Sequence, residues 1–155
     1  MLSTVKPRPR IAFLLTQLGT VAARRFAERV GELGITPADA GALRIIAFSP
    51  GISQRDLAER LGVGPSRIVA LMDRLTAADL VVRRRSATDR RNHELALTEH
   101  GQRTMAALRE VGMAHEQDVT AALTDAEVSE LGALLTKLAA AAGLDPEVHP
   151  GYRSG

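Results

Sequence analysis

The 155-residue sequence predicts a mainly α-helical fold that contains one small β-hairpin. Apolar residues recur at three- and four-residue spacing along most of the chain, which is the period of amphipathic helices. That period is interrupted once, after Asp79, where two short apolar runs flank an arginine-rich segment. The sequence has no Cys and no long apolar stretch, so we expect neither a thiol-based site nor a membrane-spanning helix.

A long amphipathic helix is predicted near the N-terminus. It follows a basic, proline-containing arm at residues 1–10, and its apolar stripe runs from Ile11 to Leu33. Gly34 ends it. A helix of roughly 23 residues is about 35 Å long. Because one small core cannot cover a stripe of that length, we expect part of it to contact another chain.

Two capped helices are predicted next. Thr36 followed by Pro37 is a typical helix start, and the helix that it opens extends to about Phe48. Ser53 opens a short third helix in the same way, and Gly62 ends it.

A fourth helix begins at Pro65 or Ser66, and its apolar positions have the spacing i, i+3, i+4 and i+7. These positions are Ile68, Leu71, Met72 and Leu75. The third and fourth helices are joined by residues 61–64, whose two glycines permit the steep crossing of a helix-turn-helix. In that motif the second helix enters the major groove of DNA.

Residues off the apolar stripe of these two helices are the candidates for DNA contacts. Arg67 is the best base reader, because a guanidinium can donate two hydrogen bonds to guanine. Ser66 can cap the helix and reach a phosphate, and Arg74 can meet a phosphate or an acidic partner. The candidates in this region are Ser53, Gln54, Pro65, Ser66, Arg67, Val69, Ala70 and Arg74.

A basic β-hairpin is predicted directly after the fourth helix. Residues 80–82 and 94–97 have strand patterns, and residues 83–92 form a charged loop between them. A hairpin in this position is a wing that reaches the DNA backbone or the minor groove, so the predicted core is a winged helix-turn-helix. The alternative is a solvated charged loop. The DNA-binding candidates in the wing are Arg84, Arg85, Asp89, Arg90 and Arg91.

Two further amphipathic helices complete the chain. Thr98 opens the fifth, which ends near Leu123, and a capping box at residues 124–127 opens the sixth, which Gly143 ends. Three long helices around a small winged core predict a homodimer, with a self-contained bundle as the alternative. The predicted dimerisation residues are Ile11, Leu14, Leu18, Leu123, Val128, Leu131, Leu135 and Leu138.

Four segments follow from these elements. They are an arm and dimerisation helix at residues 1–34, the winged helix-turn-helix at 35–98, dimerisation helices at 99–143 and a flexible tail at 144–155.

Charge is distributed unevenly along the chain. Residues 44–91 carry ten basic and five acidic side chains, whereas residues 92–155 carry four basic and ten acidic. A basic middle beside an acidic end predicts a face for a polyanion. With no signal-peptide pattern at the N-terminus, we expect a cytoplasmic protein.

These motifs resemble the MarR (multiple antibiotic resistance regulator) family. The resemblance is carried by residues 35–37, 53–63, 71–75, 80–81, 89–91 and 95–101. It implies a homodimeric regulator, more specifically a ligand-responsive repressor, that binds double-stranded DNA at a pseudo-palindromic operator. It also implies that Asp89 orients Arg91 through a salt bridge, while Arg90 contacts a groove or a phosphate.

Two positions depart from the family pattern. Asp79 stands where the family usually has Gly, and Asp tolerates the left-handed conformation better than most residues. Pro65 replaces a polar residue at the start of the fourth helix, which removes one possible hydrogen bond to DNA.

The resemblance further implies a cleft for a small aromatic or phenolic anion between the dimerisation helices and the winged core. Arg44 and Phe48 are spaced i, i+4 and could form a charged and an aromatic wall. The alternative places Phe48 in the core and Arg44 in a surface ion pair. The candidate ligand residues are Phe13, Arg44, Phe48 and Met105.

Two other classes of protein compete with a DNA-binding regulator. An enzyme is disfavoured because the sequence has no nucleophile elbow, phosphate-binding glycine loop or metal-ligand spacing, so neither a cofactor nor a metal is expected. A winged-helix interaction module that does not bind DNA is disfavoured by the arginine-rich wing.

Overall fold

The computed structural model describes residues 10–86 and 93–144, which form six helices and one two-stranded antiparallel sheet. In chain order these are α1 (Ile11–Gly31), α2 (Pro37–Phe48), α3 (Gln54–Leu61), α4 (Pro65–Ala77), β1 (Val81–Arg85), β2 (His93–Leu97), α5 (Glu99–Thr120) and α6 (Asp125–Ala141). The predicted mainly α-helical fold with a β-hairpin is confirmed. Most of the arm, the wing tip and the tail lie outside the described residues.

The helix starts are fixed by side chains that satisfy the free N–H groups of the first turn. Thr36 and Asp39 form a capping box at α2, in which the Asp39 N–H donates to Thr36 Oγ1 over 3.1 Å. Ser53 and Thr124 cap α3 and α6 in the same way, as the sequence predicts. The predicted cap by Ser66 is wrong: Gly64 is the N-cap of α4, and Pro65 takes the first helical position.

The hydrophobic core lies where α2, α3, α4, the hairpin and α5 meet. The four positions predicted from the stripe of α4 are all buried. The largest fully buried side chains are Leu43, Leu57, Leu61, Met72, Leu75, Val30 and Val81. Because α2, α3 and α4 share this core, the outer surface of α4 has a fixed direction relative to the hairpin.

The first strand is longer than the sequence predicts. β1 continues to Arg85, so residues 83–85 belong to the strand and not to the loop. Its antiparallel register pairs Val81 with Leu97 and Arg84 with Glu94. Since side chains alternate along a strand, Arg83 and Arg85 lie on one face of the hairpin and Arg84 lies on the other.

Both ends of the hairpin are tied to neighbouring elements. The Leu95 N–H donates to the Ile52 carbonyl over 2.8 Å, which joins β2 to the connection between α2 and α3. Thr98 caps α5 and also donates its hydroxyl to the Asp79 carbonyl. Asp79 has φ of 54°, so its predicted left-handed conformation is confirmed.

The long helices α1 and α5 cross beside the core. An ion pair joins Arg29 to Asp118, and the rings of Phe26 and His115 lie 5.5 Å apart between centroids. Both helices end earlier than predicted, at Gly31 and Thr120. Within residues 10–86 and 93–144, no helix combines the length and the apolarity needed to cross a bilayer.

We predict that Gly101→Ala lowers the free energy of unfolding by about 1–3 kcal/mol, because overpacking a tight contact forces the backbone to move. A Cβ at Gly101 would lie well inside van der Waals contact distance of the Leu80 carbonyl oxygen and 3.0 Å from the Leu80 carbonyl carbon. Thermal and urea unfolding measure the change.

Gly112→Ala on the same helix is the control, since nothing lies within 4 Å of a Cβ there. It should raise stability by about 0.5–1 kcal/mol through its better helix propensity. Equal effects of the two substitutions would show that the contact at Gly101 is unimportant.

Candidate nucleic-acid interface

The outer face of α4 is exposed along its length. All the residues of this helix that the sequence predicts for DNA contact are exposed, namely Pro65, Ser66, Arg67, Val69, Ala70 and Arg74. No side chain caps this helix, so the N–H groups of its first turn remain open to an acceptor. This face therefore presents a helix N-terminus, a guanidinium and two small apolar side chains to the solvent.

The start of α3 lies against the hairpin. Arg83 Nη2 donates to Gln54 Oε1 over 2.8 Å, which leaves the amide N–H groups of Gln54 free to donate elsewhere. The Ser53 hydroxyl is instead occupied by the capping box with Asp56. Gln54 thus remains a possible phosphate donor, whereas Ser53 is mainly a helix cap.

Arg83 positions the hairpin against α3. The sequence places Arg83 in the loop, and it is not among the predicted DNA-binding residues. It connects β1 to α3 across 29 residues of sequence. No local pattern marks such a bond, because it depends on the register of the hairpin.

An ion pair fixes α4 relative to the start of α2. Arg74 Nη2 lies 2.7 Å from Asp39 Oδ1, and Asp39 is only 7% exposed. Of the two partners that the sequence predicts for Arg74, the structure shows the acidic one. Asp39 therefore joins the cap of α2 to α4.

The pKa of Asp39 reflects these contacts. Burial raises the pKa, but the hydrogen bonds from the Thr36 N–H and hydroxyl and the pairing with Arg74 outweigh burial. The pKa is consequently lower than the ordinary value of 3.8. The carboxylate form is the one that holds the two helices together.

The wing candidates divide between described and undescribed residues. Arg84 and Arg85 are exposed on opposite faces of β1. Asp89, Arg90 and Arg91 lie outside the described residues, so the expected pairing of Asp89 with Arg91 stays a prediction.

One of the four candidate ligand residues lines a cavity, and the other three do not line it. Met105 lines a cavity of about 520 Å³ between α2, β2 and α5, a volume typical of ligand sites. Phe48 is 63% exposed, so its alternative place in the core is wrong, and the Arg109 guanidinium lies over its ring. Arg44 is exposed on α2, and Phe13 is exposed on α1 beneath the guanidinium of Arg10.

The predicted dimerisation residues are uncovered in the single chain. α6 buries none of its residues, and the N-terminal half of α1 is exposed throughout. Seven of these eight side chains are exposed and Val128 is half-buried. Contiguous exposed apolar faces such as those of α1 and α6 are typical of protein–protein interfaces.

Comparison with known proteins identifies the family. A model of the MarR family matches residues 33–92. A protein described as a transcriptional regulator for the hcr operon of Thauera aromatica is 39% identical over 77% of this chain and 74% of its own length. The chain belongs to the MarR family. The named relatives that this chain matches are transcription regulators, and they include repressors from Mycobacterium and Bacillus.

Solved MarR-family structures share the fold. Rv2887 of Mycobacterium tuberculosis in complex with DNA is 26% identical, with a TM-score of 0.70 over 85% of this chain and 98% of that one. Rv2887 in complex with salicylic acid is 28% identical, with a TM-score of 0.66 over 88% and 99% of the two chains. The winged helix-turn-helix of this MarR-family chain is thus the architecture of known regulators.

We predict that Asp39→Asn lowers the free energy of unfolding at neutral pH by about 1.5–3 kcal/mol, the range for hydrogen bonds to charged groups. A depressed pKa stabilises the fold above the unfolded-state value and loses that contribution as pH falls through the folded-state value. The difference between wild type and variant should therefore narrow below pH 3.8.

Urea unfolding across this pH range measures the difference. Asp73→Asn is the matched control, because Asp73 is exposed on α4. If the two variants showed the same stability at every pH, the role assigned to Asp39 would be wrong.

Proposed function

We propose that this MarR-family chain acts as a homodimeric, ligand-responsive repressor that binds a pseudo-palindromic operator. The observation that carries the proposal is the open face of α4, which lies beside an arginine-rich strand on a winged helix-turn-helix. The similarity to Rv2887 in complex with DNA supports the same use of this face.

The contacts divide between base reading and attachment. Arg67, in the first turn of α4, is placed to donate to guanine in the major groove, with Val69 and Ala70 beside it for thymine methyl groups. Attachment to phosphates falls to the Gln54 amide, to Arg85 and to the wing residues Arg90 and Arg91. Arginine attachment of this kind is independent of base sequence.

The homodimer follows from the uncovered faces of α1 and α6. Pairing these faces between two copies would remove from water the exposed leucines of both helices, such as Leu18, Leu131 and Leu138. A two-fold axis through that interface would set two α4 helices one duplex turn, about 34–36 Å, apart. The segments 1–34 and 99–143 are then dimerisation elements, and 35–98 is the DNA-binding unit.

A small aromatic or phenolic anion is the proposed effector. Salicylic acid is present in a structure of the related Rv2887. This chain offers a cavity between its winged core and α5, so a bound anion would alter how the hairpin sits on the dimerisation helices. Binding of the anion would lower the affinity for the operator.

We predict that Arg67→Ala weakens operator binding by about 1–3 kcal/mol and leaves binding to unrelated DNA unchanged, because it removes a base contact. Arg90→Ala should weaken binding to all duplexes and reduce the slope of log K against log salt by about one unit. Fluorescence anisotropy measures both affinities, with the intergenic DNA upstream of the gene for this protein as one duplex and a scrambled duplex of equal length as the other.

Operator preference that survived Arg67→Ala would contradict the assignment of α4 as the recognition helix. A wild-type protein without preference for either duplex would favour the interaction module that does not bind DNA.

We predict that Leu135→Glu converts the dimer to a monomer, because it buries a charge in an apolar interface. Light scattering should give about twice the chain mass of 16.6 kDa for the wild type and a single chain mass for the variant. Ser129→Glu is the control, since Ser129 lies on the opposite face of α6. A wild-type protein of single chain mass would contradict the dimer.

A further inference from the structure

A carboxylate lies at the centre of the outer face of α4. Successive residues of an α-helix are about 100° apart around its axis. The four buried residues of α4 mark its inner side, so the residues on the opposite side face the solvent most directly. These residues are Ser66, Ala70 and Asp73, and all three are exposed. Asp73 therefore projects from the same line of side chains as two residues that the sequence predicts for DNA contact.

Asp73 has no ion-pair partner within residues 10–86 and 93–144. The guanidinium of the adjacent Arg74 pairs instead with Asp39 of α2, over 2.7 Å. The residues three and four positions away on α4 carry no charge, and these are Val69, Ala70, Thr76 and Ala77. The carboxylate is consequently free to accept hydrogen bonds from a molecule that lies against α4.

Arg67 and Asp73 point in different directions from the helix. Arg67 is seven residues before Arg74, which is close to two full turns, so both arginines lie on the flank of α4 nearer α2. Asp73 lies about 120° from Arg67 around the axis and about 9 Å further along it. The two side chains would therefore meet different bases in a groove.

A carboxylate in the major groove distinguishes the four bases sharply. Guanine presents two acceptors there, thymine presents one acceptor, and adenine presents an acceptor beside its amino group. Cytosine alone presents an amino donor, at N4, without an acceptor next to it. A carboxylate can therefore accept from cytosine, whereas it lies unpaired and close to phosphates at the other bases.

We propose that Asp73 is a specificity-determining residue that accepts a hydrogen bond from the N4 amino group of a cytosine in the operator. The separation of Asp73 from Arg67 along α4 corresponds to about two or three base pairs. The cytosine and the guanine that Arg67 reads then belong to one half-site. This inference rests on the proposed function, because it names a further base that the operator of this regulator contains.

The two side chains contribute to specificity in opposite ways. Arg67 adds affinity at the correct base, whereas Asp73 removes affinity from DNA that lacks the cytosine, because its charge is then left unpaired beside the phosphates. Loss of the Asp73 carboxylate should consequently strengthen binding to unrelated DNA. Loss of an arginine contact cannot have that effect.

Selection of bound duplexes from a random library, followed by sequencing, tests which base Asp73 reads. The full-length wild type should select cytosine at one position of each half-site. Asp73→Asn should select adenine at that position, because an amide pairs with both N6 and N7 of adenine. Asp73→Ala should select no base there, and the other positions should be unchanged in both variants.

Fluorescence anisotropy on the selected operator and on a scrambled duplex tests the sign of the effect. Asp73→Ala should lower the Kd for the scrambled duplex about threefold, as expected for one exposed charge. The ratio of the scrambled to the operator Kd should fall about tenfold, which is within the usual cost of one wrong base pair.

Glu110→Gln is the matched control, because it also removes one negative charge and Glu110 is exposed on α5, outside the DNA-binding helices. It should keep the base preferences and the Kd ratio of the wild type, since salt screens exposed charges beyond about 10 Å. Circular dichroism establishes that each variant is folded.

An Asp73→Asn variant with the base preferences of the wild type at every position would overturn the inference. Equal weakening of both duplexes by Asp73→Ala would overturn it as well, because that result indicates a structural role for Asp73. A wild type that selected no sequence at all would overturn the proposed function itself.

Discussion

One buried carboxylate sets the direction of the recognition helix. Asp39 accepts the Thr36 N–H at the start of α2 on Oδ2 and the Arg74 guanidinium of α4 on Oδ1, so one carboxylate serves both a cap and an ion pair. A carboxylate removed from water must be paired and hydrogen-bonded, and these partners meet that demand. The exposed face of α4 is useful only because this contact and the core beneath it hold the helix in one orientation.

The hairpin is also fixed to the helices of the core, through two hydrogen bonds near α3. Leu95 joins it to the loop before α3, and Arg83 joins it to Gln54. On the other side, Gly101 lets the start of α5 approach Leu80 so closely that no side chain fits between them. The hairpin is therefore held between α3 and α5, where a change in either can reach it.

Local features of this fold could be predicted from the sequence, and contacts distant in sequence could not. The caps at Thr36, Ser53 and Thr124 use partners three residues away, and the stripe of α4 repeats within one helix, so both are visible in the sequence. The extent of β1 was underestimated because arginines have little strand preference, and pairing with β2 decides it. The bond between Arg74 and Asp39 spans 35 residues and leaves no local signal.

Because no residue of α6 is buried in the single chain, the stability of the proposed homodimer depends on protein concentration. A helix that buries none of its residues against its own chain gains little packing free energy in the monomer, so in the proposed homodimer that free energy comes from association. The melting temperature of such a protein rises with its concentration. Dilution alone would then loosen the pair of recognition helices, and the number of copies in solution would set how firmly any duplex is held, before any effector is present.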